Sequence, residues 1–261
     1  MKTVEFDALV LDMDGVLWQD NQPLVDLPRV FAAIERMGWK VIFATNNSTR
    51  SPQQYVEKLN AMGVHAVEEQ VLTSSMAVAY LMKKAYPNGG PVFIVGETGL
   101  IQAMEECGFY HSDDNVIAVV AGMDRSLTYA KMAAASLHIQ AGAAFYATNS
   151  DLTFPTPQGL LPGAGSVIAM LQAASGKDPF WAGKPEPTMY QMVFDQLGLP
   201  PQRVLAVGDR FETDIVGGQR AGCPTALGLA GGTTFEMITS LTPQPTIVDK
   251  DLAELVTIYA I

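Results

Sequence analysis

The chain alternates short, uninterrupted apolar runs with longer stretches of helical periodicity, and this alternation limits the possible folds more than any other feature. A run with no polar interruption is buried on both faces, as strands of a parallel sheet are, and parallel neighbours need a long crossover, usually a helix. At the N-terminal end, Ala8 to Leu11 and Val41 to Ala44 read as strands, and Leu27 to Met37 and Pro52 to Met62 as helices. The C-terminal end repeats the habit, with strands at Val204 to Val207 and Thr225 to Leu229 and helices at Asp214 to Ala221 and Asp251 to Tyr259. In the middle, Val92 to Val95, Val116 to Ala121 and Phe145 to Thr148 read as strands, with Leu100 to Cys107 and Tyr129 to Gln140 as helices.

The pattern predicts an α/β protein whose doubly wound, Rossmann-like parallel-sheet core is assembled from both chain ends, with a smaller α/β domain inserted between them. Helix and strand breakers cluster at Tyr86-Pro87-Asn88-Gly89-Gly90-Pro91 and at Ser175-Gly176-Lys177-Asp178-Pro179. The expected organisation is therefore a core over 1–80 and 181–261 and an insert over 81–180. A length of 261 residues, 48% of them hydrophobic and 16% charged, suits one large domain or two modest ones.

A formal net charge of −11 leaves no basic footprint for nucleic acid or an anionic membrane, so neither is an expected partner. A small anionic substrate would need a local cluster of cations and backbone N–H groups. No stretch of eighteen uncharged apolar residues occurs and no signal-peptide core precedes the first strand, so the expected location is the cytoplasm. Cys107 and Cys223 are far apart and suggest buried thiols rather than a disulfide or zinc site. His65, His111 and His138 are scattered and read as structural or surface residues, and Gly159, Gly163 and Gly165 as loop glycines.

Open parallel sheets bind ligands beyond the carboxyl ends of their strands. Asp12 and Asp14 follow the run Ala8 to Leu11, Thr45-Asn46-Asn47-Ser48 follows Val41 to Ala44, and Gly208-Asp209 follows Val204 to Val207. Lys184 sits just beyond the second cluster of breakers. A phosphate monoester dianion repels nucleophiles, so its hydrolysis demands charge neutralisation and an attacker held in line. Magnesium is satisfied by one or two carboxylates plus a substrate oxygen. Asp12 can be a metal ligand and attack phosphorus, Asp14 can exchange protons with the leaving oxygen and then with water, and Gly15 lets the backbone come close. Lys184 and Thr45 can hold phosphoryl oxygens, while Asp209 completes the metal site. Taken singly these residues have plainer readings: a solvated turn for Asp12 to Gly15, an N-cap for Asp214, a surface lysine for Lys184. An EF-hand calcium loop does not fit, because its glycine belongs at the sixth position and Gly15 is fourth counting from Asp12.

In order along the chain, Asp12-Met13-Asp14-Gly15-Val16, Thr45, Lys184 and Gly208-Asp209-Arg210-Phe211-Glu212-Thr213-Asp214 resemble the four motifs of the haloacid dehalogenase superfamily. The large insert between the second and third motifs resembles the branch that holds p-nitrophenyl phosphatases, phosphoglycolate phosphatases and bacterial nucleotide and sugar phosphatases. The resemblance implies a magnesium-dependent phosphatase of small phosphorylated metabolites that works through an aspartyl-phosphate. It implies Asp12 as nucleophile and metal ligand, and Asp14 as acid/base and ligand through its backbone carbonyl. Thr45, Asn46 and Lys184 would be phosphate contacts, Asp209 a metal ligand, and Asp214 an outer metal position acting through water or by holding its loop. It further implies that the insert closes over the site as a cap, that Asn149 to Thr156 reads the leaving group, and that the cap can mediate a homodimer. Within that segment Phe154 is expected to belong to the core rather than to stack on a substrate. Two alternatives remain open at this level: a phosphotransferase or mutase using the same intermediate, and a phospholigand-binding regulator without turnover.

Overall fold

The computed structural model describes residues 5–19, 21–231 and 242–259. They fall into two compact units, one drawn from 1–45, 53–72 and 184–261 and the other from 46–52 and 73–183.

The first unit is built on a six-stranded sheet in the order β15-β14-β13-β1-β4-β5. Its strands are β1 (Ala8–Leu11), β4 (Lys40–Thr45), β5 (Val71–Thr73), β13 (Val204–Gly208), β14 (Thr225–Gly228) and β15 (Ile247–Asp249); the two-stranded pair β2 (Trp18–Gln19) and β3 (Gln22–Pro23) and helix α2 (Pro52–Ala61) lie between β1 and β5 in the chain. β1 pairs in parallel with β4 on one side and with β13 on the other, in register Leu11↔Phe43 and Leu11↔Val207. All four residues of β1 are buried, which is the reason the run Ala8 to Leu11 carries no polar residue. The chain proceeds from β1 toward β4 and β5, then returns to β1's other edge as β13, so the strand order reverses there. Ligand crevices form where the order of an open sheet reverses.

Helix α1 (Leu27–Arg36) shows how local sequence serves this layer. The Asp26 carboxylate accepts from the Arg29 N–H at its start, and Leu27, Val30 and Ile34 form the buried stripe. These side chains join Leu9, Leu11, Phe43, Leu205 and Val207 in one apolar cluster. Truncating a leucine so enclosed costs about 2–5 kcal/mol.

The second unit carries a five-stranded sheet ordered β12-β9-β8-β6-β7. It comprises β6 (Gly90–Val95), β7 (Phe109–His111), β8 (Ala118–Ala121), β9 (Ala144–Ala147) and β12 (Phe180–Trp181), and every pairing is parallel. Helices α4 (Thr98–Glu106) and α5 (Tyr129–Gln140) match the sequence reading closely. Helices α3 (Ser74–Ala85), α6 (Ala164–Ser175) and α7 (Thr188–Leu197), the last of these in the first unit, were not anticipated from periodicity.

The contact boundaries differ from those suggested by punctuation. The chain leaves the first unit after Leu72, not near residue 81, because Thr73 both ends β5 and caps α3, its hydroxyl accepting from the Met76 N–H. No proline or glycine marks a junction made that way. The second unit extends to Gly183 because β12 pairs with β9. Residues 46–52 also belong to it: Ser75 donates to the Ser48 carbonyl and Gly99 to the Thr49 carbonyl.

Several smaller expectations need correction. Phe154 is not a core residue; it lies on the antiparallel pair β10 (Thr153–Thr156) and β11 (Gly159–Pro162) and is 37% exposed. Gly163 precedes α6 and Gly165 lies in its first turn, where an added Cβ would fall 2.4 Å from the Ser150 carbonyl oxygen, so close backbone approach explains Gly165 better than loop geometry does. Cys223 is buried, but Cys107 is half-buried at the end of α4; both are free thiols. His111 accepts from the Ile94 N–H through Nδ1, a structural role. Gly231-Gly232 reads in the sequence as a pair of turn or packing glycines, and Gly232 lies outside the described residues. No described helix is long and apolar enough to cross a membrane.

Candidate active site

The residues singled out at the ends of β1 and β13 converge within the first unit. Asp12 follows β1, and its backbone N–H donates to the Val207 carbonyl at 2.9 Å. Asp209 follows β13 directly. Asp214 arrives by another route: Phe211–Ile215 forms a π-helical turn ahead of helix α8 (Val216–Arg220). That wider turn swings Asp214 back over Gly208, where a Cβ would fall 2.1 Å from the Cβ of Asp214. π-turns of this kind recur at functional sites because they re-aim a side chain. The sequence reading of a helix from Asp214 to Ala221 missed this turn, since periodicity does not distinguish it from a first α-helical turn.

The carboxylates of Asp12, Asp209 and Asp214 lie within 4.8 Å of one another, the one such acidic group among the described residues. Lys184 stands among them. Its Nζ donates to Asp12 Oδ1 at 2.7 Å, to Asp214 Oδ1 at 2.6 Å and to the Ala44 carbonyl at 3.0 Å. A solvated surface lysine is thereby excluded, because the side chain is 3% exposed. Asp214 is fixed further: its Oδ2 accepts from the Arg210 N–H at 3.2 Å, and its carbonyl accepts from the Tyr190 hydroxyl at 3.0 Å. Gly15 has φ +88°, and a Cβ there would meet Asp209 Oδ2 at 2.3 Å, so only glycine admits this approach.

Electrostatics follow from three acids sharing one lysine. Burial, then the neighbouring Asp214 and Asp209, raises the Asp12 carboxyl well above its usual range, against the pull of Lys184. Burial and Asp214 push Asp209 up to about 7. Burial works against the Lys184 ammonium too, yet Asp12 and Asp214 outweigh it and hold the lysine charged well above its ordinary value. The cluster carries more negative than positive charge, in a cradle of hard oxygen donors. A divalent cation such as magnesium suits that donor set and that imbalance.

The other predicted residues are placed differently. Thr45 is buried at the end of β4. Asn46 belongs to the second unit, where its amide donates to Asp151 Oδ2 at 2.9 Å, and Asn149 donates to the same oxygen at 2.7 Å. The Asp14 carboxylate is not part of the acidic group; it is exposed and accepts from the Trp18 indole N–H at 2.7 Å. Trp18 and Tyr190 were overlooked. Trp18 could have been suspected as an indole N–H donor set four positions beyond Asp14, whereas nothing in the sequence ties Tyr190 to Asp214.

A family model described as haloacid dehalogenase-like hydrolase matches residues 9–110, and a second, HAD-hydrolase-like model matches 181–255. The chain belongs to the haloacid dehalogenase-like hydrolases. A relative in this family, the 5′-nucleotidase YutF of Bacillus subtilis (strain 168), is 37% identical over 254 residues, 97% of this chain and 98% of its own length. Among solved family structures, a 4-nitrophenylphosphatase from Thermotoga maritima superposes with a TM-score of 0.91 at 33% identity, with 97% of each chain covered. The glycerol phosphate phosphatase of Mycobacterium tuberculosis, solved in complex with magnesium, gives a TM-score of 0.89 at 33% identity, with 96% of this chain and 76% of that one covered. The acidic cluster lies where the order of the six-stranded sheet reverses beside β1.

Proposed function

We propose that the chain hydrolyses small phosphate monoesters through an aspartyl-phosphate on Asp12, with magnesium bound at the acidic cluster. That it is a phosphoric monoester hydrolase follows from its family and from relatives named as phosphatases and a nucleotidase. The observation that carries the mechanism is the gathering of Asp12, Asp209 and Asp214 around Lys184 where the strand order reverses.

Magnesium would be held by Asp12, Asp209 and the Asp14 backbone carbonyl, and when bound it supplies positive charge against the phosphoryl oxygens. Asp214 is better suited to holding the loop than to direct coordination, since Lys184 and the Arg210 N–H already occupy its two oxygens. Lys184 donates to Asp12 Oδ1, which leaves Oδ2 to attack phosphorus. As the Oδ2–phosphorus bond forms and the ester bond breaks, Asp14 gives its proton to the departing oxygen. Asp14, now a carboxylate, takes a proton from water as the water oxygen bonds to phosphorus, and inorganic phosphate leaves Asp12 free. Thr45 donates its hydroxyl to a phosphoryl oxygen.

The supporting relatives act, by name, on a nucleotide, a nitrophenyl ester and glycerol phosphate, and the substrate class here is the same broad range of small monoesters. Phosphate release from p-nitrophenyl phosphate with and without magnesium tests the reading. Release should require magnesium, fall at least 1,000-fold in Asp12→Asn and fall about 100-fold or more in Asp14→Asn. Undiminished release by Asp12→Asn, or release indifferent to magnesium, would sink it.

A further inference from the structure

We infer that Trp18 is a positioning residue for Asp14, its indole N–H selecting which carboxylate oxygen exchanges the catalytic proton. The inference rests on the acid/base reading of Asp14 given above.

An exposed aspartate rotates freely about two side-chain bonds, and only one arrangement presents an oxygen to a leaving group. Here the arrangement is held from two sides. The backbone of 13–18 closes on itself, with the Gly15 N–H donating to the Trp18 carbonyl at 2.8 Å and the Leu17 N–H to the Met13 carbonyl at 2.9 Å. This sets Trp18 beside Asp14, where the indole Nε1 donates to Asp14 Oδ1 at 2.7 Å. The ring itself cannot wander: it is fully buried in the cluster that holds Leu17 and Tyr55, and Lys58 Nζ lies 4.0 Å from its centroid.

The choice of donor matters chemically. Indole N–H donates and cannot accept, so it never competes for the proton of Asp14. With Oδ1 occupied by that N–H, Oδ2 carries the proton that passes to the ester oxygen as the phosphorus–oxygen bond breaks. In the second half-reaction the same contact leaves Oδ2 to take a proton from water as the water oxygen joins phosphorus. One fixed bond thus serves both steps. A hydroxyl or amide in its place could accept the proton or turn away.

The test compares leaving groups, because p-nitrophenolate departs with little protonation and an alkoxide does not. In Trp18→Phe, kcat/KM for an alkyl ester such as glycerol phosphate should fall at least ten-fold, through kcat with KM little changed. The value for p-nitrophenyl phosphate should fall only about two-fold. Replacing the indole with benzothiophene, sulfur in place of N–H at the same shape, should reproduce this split in a protein that melts like the wild type. 5-Fluorotryptophan, which keeps the N–H, should preserve wild-type rates on both esters. Equal losses on the two esters, or no loss in the benzothiophene form, would overturn the assignment. Asp14→Asn is measured alongside. If it discriminates between the esters and the Trp18 variants do not, the acid/base reading stands and the Trp18 inference fails; if it does not discriminate, the reading beneath both fails.

Discussion

Both units place acids just beyond the carboxyl ends of parallel strands, yet the two sets of acids are treated in opposite ways. In the second unit Glu97 and Asp124 each have a cation of their own. Glu97, after β6, accepts from the Arg125 guanidinium at 2.5 and 2.8 Å, and Asp124, after β8, accepts from Lys131 Nζ at 2.6 Å and from both donors of Ser126. In the first unit Asp12 and Asp214 share Lys184, and Asp209 stands in the same acidic group. The result is visible in sign. The Arg125 bonds hold Glu97 below its ordinary range, and at Asp124 the Lys131 and Ser126 bonds overcome burial to do the same. Burial and mutual repulsion raise Asp12 and Asp209 instead. Parallel strand ends therefore do not make a site by themselves. A deficit of positive charge among well-held oxygens does, because it leaves favourable interaction to be completed by a cation and a phosphoryl group.

This contrast can be broken most forcefully at Lys184. Lys184→Met keeps the volume and removes the cation; turnover of p-nitrophenyl phosphate should fall about 100- to 1,000-fold. A retained rate would mean the charge balance of the cluster is irrelevant to chemistry. A smaller effect should appear in thermal melts: magnesium at about 100 times its dissociation constant should stabilise the protein by about 2.7 kcal/mol, and Asp209→Asn should lose most of that gain. The pH dependence carries a definite sign. A carboxyl raised in the folded state contributes stability below its unfolded value that is lost as pH rises through the folded value, so the metal-free protein should weaken as pH rises toward about 7. The magnesium-induced gain should grow over the same window, since the cation displaces that proton. An upshift independent of pH between 5 and 8 would contradict the assignment of Asp209.

The smallest effect belongs to the paired acid. Asp124→Asn should cost about 2 kcal/mol of stability by denaturant unfolding at neutral pH. The sign is reversed here: a lowered carboxyl contributes stability above its unfolded value of 3.8 that is lost as pH falls through the folded value, so the mutant and wild type should converge in acid. Magnesium should leave that difference unchanged. A difference that changed with magnesium would show that the second unit is not the charge-balanced counterpart of the first.

Much of this architecture was readable from residue order. Fully buried parallel strands such as β1, β8 and β13 must be apolar throughout, so they announce themselves, and α5 was bounded correctly by its pattern. Asp12 and Asp209 were legible because they sit directly after such runs. Helices α6 and α7 were missed, and the junction at Thr73 was invisible because one threonine ends a strand and caps a helix.

What the linear order settles is the identity of the strands, their parallel crossovers and the polar residues that each strand end must present, since these depend on local periodicity and on the burial that a two-sided strand requires. What only the folded chain decides is which of those polar groups share one space. Lys184 is 172 positions from Asp12 and 30 from Asp214, yet bonds to both. Asp14 lies two residues from Asp12 and turns instead to an indole. Charge balance is a property of that shared volume, and no spacing along a chain specifies it.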